Sequence, residues 1–220
     1  MLAPPVRRLL LLFPPFFLAL PLAAQIIPKD AAVPVEVRQA KGAFAGKLHG
    51  AAMPTGKGWK AVMDPQRILQ IMVPDRWKVI SDPDGDSILK IVPPGQEKRP
   101  DAVLMVLFQK PRDVDPLKVD ERFAADYAES LPEDPELRKL KYELTDQGFV
   151  LARGMRFALA GGRMQVGKGK TVWQQQLIFI SEDRIITLQF TASDAEYSKN
   201  RDAAAAIFAS YQTLGERKAE

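Results

Sequence analysis

Four strand-forming runs follow one another between residues 140 and 192, and this stretch constrains the fold more than any other. Leu140 to Thr145, Phe149 to Leu159, Thr171 to Ser181 and Arg184 to Ala192 are rich in β-branched and aromatic residues. Such runs, separated by short turns, are expected to pair as antiparallel neighbours. Gly161-Gly162 with Gly167 to Gly169 marks one turn, and Glu182-Asp183 another. A helix follows at once. Ser193-Asp-Ala-Glu196 has the spacing of a capping box, and Tyr197, Ala204, Phe208 and Tyr211 then lie on one stripe. The core-facing run ends near Leu214-Gly215, leaving a charged tail at 215–220.

Upstream, Ile68 to Val73 is a strand-like run ending at Pro74, and Ser87 to Val92 is another, closed by Pro93-Pro94-Gly95. Ala102 to Phe108 is continuously apolar, which predicts a strand buried on both faces. Asp115 and Pro116 have the chemistry of an N-cap and a first helical residue. Val119, Phe123, Tyr127 and Leu131 recur at four-residue spacing behind them, up to Pro132. Three strands, a helix, four strands and a helix predict an α+β fold. Its centre is a mostly antiparallel sheet of about six to seven strands with helices packed on its faces.

The N-terminus has the layout of an export signal. Arg7 and Arg8 precede an apolar run from Leu9 to Leu20 that Pro14 and Pro15 interrupt, and cleavage is expected after Ala24. The run is short of the ~20 residues that a spanning helix needs. A retained N-terminal membrane anchor is the alternative. Removing residues 1–24 leaves 196 residues and takes out two arginines, so the formal charge of +4 falls to +2. That excess is too small to argue for nucleic acid or an anionic membrane. Residues 25–65 are rich in Pro, Gly and Ala with little periodicity, apart from a short strand-like stretch at Val33 to Arg38, and are expected to form an arm or linker. Trp59 stands out in it, and is expected either to pin the arm to the domain at 66–214 or to be exposed.

Composition excludes several chemistries. The chain has no cysteine, so disulfides, thiolate metal sites, a cysteine nucleophile and a lipid anchor on cysteine are all out. His49, the single histidine, lies in the arm and is expected to be solvated rather than a catalytic base. Gly162 to Gly169 approaches a phosphate-binding loop, but a strand-like run follows it where a helix is required. Ser87 and Lys90 have acyl-enzyme spacing only on a helix, and their surroundings are strand-like. Asp82, Asp84 and Asp86 surround Gly85 in a turn without the closing glutamate of a calcium loop. The pairs Asp120-Glu121 and Glu133-Asp134 are expected at solvated helix ends. Arg153 shares an alternation face with Leu151, Met155 and Phe157, so partial burial and a partner at Asp146 or Asp183 are expected. Whether it and Arg156 are structural or hold a ligand stays open. No catalytic, cofactor-binding or metal-ligating residue is assigned.

Ile71-Met-Val-Pro74-Asp-Arg-Trp77 resembles the opening of PsbP-like and DcrB-like domains, an apolar strand followed by Pro-x-x-Trp. Arg184 to Ala192, the helix with Tyr197, and Ile207-Phe-Ala-Ser-Tyr-Gln-Thr-Leu214 resemble their closing strand and helix. The resemblance spans about residues 67–214. It implies an α/β/α sandwich and a non-enzymatic role without cofactor. Relatives serve as accessory subunits of a photosynthetic membrane complex, as exported envelope proteins and as a partner of a nuclear-transport GTPase. An exported accessory domain with a protein partner, in the periplasm or secreted, is therefore the expectation. A carrier of a small apolar ligand, in a cleft lined by Trp77, Trp173 or Phe179, is the alternative.

Overall fold

The structure is a computed structural model that describes residues 31–65, 68–80, 87–109, 119–167, 169–180 and 184–214. The elements run β1 (Glu36–Lys41), α1 (Ala43–Leu48), β2 (Trp59–Met63), β3 (Leu69–Pro74), β4 (Lys78–Ile80), β5 (Ser87–Val92) and β6 (Ala102–Gln109). They continue with α2 (Glu121–Ser130), α3 (Pro135–Lys139), β7 (Glu143–Ala152), β8 (Met155–Val166), β9 (Lys170–Ile180), β10 (Ile185–Ser193), α4 (Asp194–Ala209) and β11 (Gln212–Thr213). Eight strands form an antiparallel sheet in the order β1-β7-β8-β9-β10-β6-β5-β4, and three form a small sheet, β11-β3-β2. The fold is α+β, as the succession of strands predicts.

One face of the sheet carries the main core. From it Leu104 and Val106 of β6, Leu159 of β8, Leu177 of β9, and Ile186, Leu188 and Phe190 of β10 pack with Ile207 and Phe208 of α4. Leu69, Ile71 and Val73 of β3 join the same core. Helix α2 lies on the opposite face, where Ala124, Phe123 and Tyr127 meet Phe149 and Ala158. The result is helix, sheet, and a mixed layer of helices with the small sheet.

The hairpin positions differ from the sequence expectation. β7 and β8 are continuous through Gly148, Gly161 and Gly162, and the turn between them falls at Arg153-Gly154. Both turn residues have positive φ, 46° and 75°, as a tight two-residue hairpin requires. The internal glycines mark close approaches rather than turns. A Cβ at Gly161 would lie 1.8 Å from Gln175 Oε1, and one at Gly162 would lie 2.3 Å from the Glu143 carbonyl. Arg153 therefore occupies the turn and not an alternating strand position.

Residues 25–65 are not a linker where the structure describes them. β1 pairs with β7 along the sheet edge, and β2 pairs with β3. Phe44, Ala45 and Leu48 of α1 are completely buried in the main core, with Val35 and Val37 beside them. Full burial of side chains such as Phe44 and Leu48 contributes about 1.5–3 kcal/mol each. Trp59 is half-buried and packs against the core from β2. The elements are short and lack periodicity, so their order comes from tertiary burial, which local pattern does not reveal.

Helix starts also differ in detail. The N-cap of α2 is Asp120, which accepts from the Phe123 N–H at 2.8 Å. Asp115 and Pro116 lie outside the described residues. Helix α4 begins after Ser193 as expected, but no capping box forms there. The Ser193 N–H, which Glu196 would take, is used by the Asp101 carbonyl at 2.8 Å. Glu196 bonds Lys199, Gln96 and Asn200 instead, and its carboxyl is held below the usual range, chiefly by the Lys199 ammonium.

Candidate functional site

Alternation along β6 and β10 is a boundary between two environments. Ala102, Leu104 and Val106 are buried, whereas Val103, Met105 and Leu107 on the other face are only half-buried. On β10 the buried Ile186, Leu188, Phe190 and Ala192 alternate with the half-buried Ile185, Thr187, Gln189, Thr191 and Ser193. Register places Thr187 beside Leu107, Gln189 beside Met105 and Thr191 beside Val103. These side chains form one outward strip. Helix α2 packs over β7 and β8, and it reaches β9 at Ile180 and, through Tyr127, at Gln176. The short 3-10 turn Leu131–Glu133 that continues α2 also meets β7. The expectation that Ala102 to Phe108 is buried on both faces is thus corrected: it is buried on one.

A polar ladder links α2 to this strip. The Tyr127 hydroxyl donates to Gln176 Oε1, the Gln176 amide donates to Gln189 Oε1 at 3.1 Å, and the Gln189 amide donates to Thr191 Oγ1 at 3.2 Å. Burial beneath α2 pushes the Tyr127 phenol up to about 12, so it is neutral and remains a donor at ordinary pH. The ladder fixes the amide rotamers, so the strip presents apolar side chains around a set polar spine. Such a surface suits contact with another surface; it does not place a nucleophile beside a base.

The inner face carries a buried polar cluster, and its role is structural. Asp146 is 2% exposed. It accepts from the backbone of Phe44 at 2.7 Å and Ala45 at 3.2 Å, from Thr145 Oγ1 at 2.8 Å and from Gln175 Nε2 at 3.0 Å. Gln175 Nε2 also reaches the Tyr197 hydroxyl at 3.0 Å. Tyr197 is stacked on Trp173, with centroids 4.5 Å apart, and burial pushes its phenol well up. Four donors on one carboxylate leave it no room for acid–base work. Asp146 is consumed in holding α1 against the sheet.

The residues singled out in the sequence are dispersed. Arg153 donates to the Tyr211 carbonyl just beyond α4, and Arg156 is exposed on β8. Asp146 is not the partner of Arg153, since its oxygens face α1 and Gln175; Asp183 lies outside the described residues. His49 is exposed, and its Nδ1 accepts from the Val37 N–H at 3.0 Å, so it ties α1 to β1 rather than floating in a linker. Asp120 caps α2, and Glu121 pairs with Arg38 at 3.3 Å. Asp134 caps α3, a helix the sequence reading missed, and Glu133 pairs with Arg138 at 2.6 Å.

Gly162 lies within β8, and Gly167 and Gly169 form a hairpin turn into β9, so no helix follows that glycine-rich segment. Ser87 and Lys90 lie on strand β5. Asp82, Asp84 and Asp86 lie outside the described residues, as do residues 1–24, Lys168 and residues 215–220. Among the described residues no group of three or more His, Cys, Asp or Glu is arranged to hold a metal ion.

Of the three aromatics expected to line a ligand cleft, one is buried in the core and the other two lie apart along β9. Trp77 is a core residue, 4% exposed. Trp173 is engaged with Tyr197 and donates from Nε1 to Asp194 at 2.8 Å. Phe179 packs against Phe157 and Tyr211 six positions further along β9, about 20 Å at strand rise. The outward strip, by contrast, was missed by sequence reasoning. Its one signal was the pair of amide and hydroxyl positions Gln189 and Thr191 alternating with core residues in β10.

No family model matches the chain, and no curated protein matches it. Among solved structures it is similar to LpqN of Mycobacterium tuberculosis, a protein described as involved in cell envelope biogenesis. That similarity has a TM-score of 0.50 at 21% identity, covering 70% of this chain and 90% of LpqN. It is also similar to cyanobacterial PsbP from Synechocystis sp. PCC 6803, with a TM-score of 0.49 at 11% identity over 73% of this chain and 97% of that one. At these identities the likeness to LpqN is one of fold. Among the described residues no helix is long and apolar enough to cross a membrane.

Proposed function

We propose that this chain is an exported, non-enzymatic accessory domain of the cell envelope that works by protein–protein contact. Its contact surface is the outer face of β10 and β6. The observation that carries the reading is the half-buried strip of Val103, Met105, Leu107, Ile185 and Thr187 beside α2. In an α/β/α arrangement both faces of the sheet are normally covered, yet the described helices cover only part of this one. Two strands at ~4.8 Å spacing leave a strip about 10 Å wide, enough for one helix or loop of a partner. The leader-like residues 1–24 support export, and the involvement of LpqN in envelope biogenesis is in keeping with it.

The test is affinity capture from the envelope fraction with wild type, Met105→Glu and Thr187→Arg, each shown to be folded by circular dichroism. A partner retained by wild type and lost from both variants supports the reading. Equal retention by all three overturns it. Sequencing the N-terminus of the mature protein separates a cleaved leader from a retained anchor.

A further inference from the structure

We draw no further inference here: the strongest candidate, the half-buried outer face of the eight-stranded sheet over β10 and β6, belongs to the site already described, and nothing in the structure shows what covers it.

Discussion

The Asp146 carboxylate accepts the backbone N–H of Phe44 at 2.7 Å across 102 positions of sequence. This bond joins the N-terminal segment to the middle of the large sheet. Phe44 is completely buried, and its ring packs edge-on against Phe208 of α4 with centroids 5.2 Å apart. The segment is part of the core and not an appendage.

Removal of that carboxylate leaves the Phe44 and Ala45 N–H groups without an acceptor and the Gln175 amide with the Tyr197 hydroxyl alone. Unsatisfied buried donors cost about 1–3 kcal/mol each, with partial relaxation. Asp146→Ala is expected to lower unfolding free energy by about 3 kcal/mol in urea titration. Amide exchange at Phe44 and Ala45 is expected to accelerate more than exchange in β9. A loss below about 1 kcal/mol means that α1 is held by its side chains alone.

Gly161 and Gly56 differ in what surrounds them. A Cβ at Gly161 meets Gln175 Oε1 at 1.8 Å and the Gln174 carbonyl at 2.9 Å, whereas one at Gly56 meets nothing within 4 Å. Gly161→Ala is expected to destabilise by about 2 kcal/mol or more, in the range of core overpacking. Gly56→Ala is expected to stay within about 0.5 kcal/mol of wild type. Equal effects in the two melts would contradict the close approach at Gly161.

All four tyrosines of the chain have raised phenol values, and burial is the main cause at each. A phenol whose folded value is raised favours the neutral form in the native state. Its contribution is complete below the unfolded value near 10 and is lost as pH rises toward the folded value, about 12 for Tyr127. Absorbance at 295 nm is therefore expected to stay flat through pH 10 and to rise together with loss of the far-ultraviolet circular dichroism signal. Ionisation of any tyrosine near pH 10 in a folded sample would count against this packing.

Much of the sheet was legible because its strands are long. The Arg184 to Ala192 run predicts β10 within a residue or so at each end, and Tyr197 and Phe208 mark the buried side of α4. The end of β8 was misplaced for a physical reason. Gly161 and Gly162 look like turn residues until the neighbours that exclude a Cβ are known, and those neighbours come from other strands. The same holds for α1, whose anchor Asp146 lies far downstream and carries no local signal. The half-buried strip was hidden by the run from Ala102 to Phe108. A continuous apolar run looks alike whether its second face is covered by the same chain or left for another.

Site-specific photo-crosslinking tests the central claim, that the outer face of β10 and β6 is the contact surface. A photoreactive residue is placed at Thr187 on the strip and, as a control, at Asp202 on the exposed side of α4, and irradiated in the envelope of producing cells. A discrete protein adduct from Thr187 that is absent from Asp202, and that disappears when Met105→Glu is added, is the expected result. Adducts from Asp202 and none from Thr187 would contradict the account.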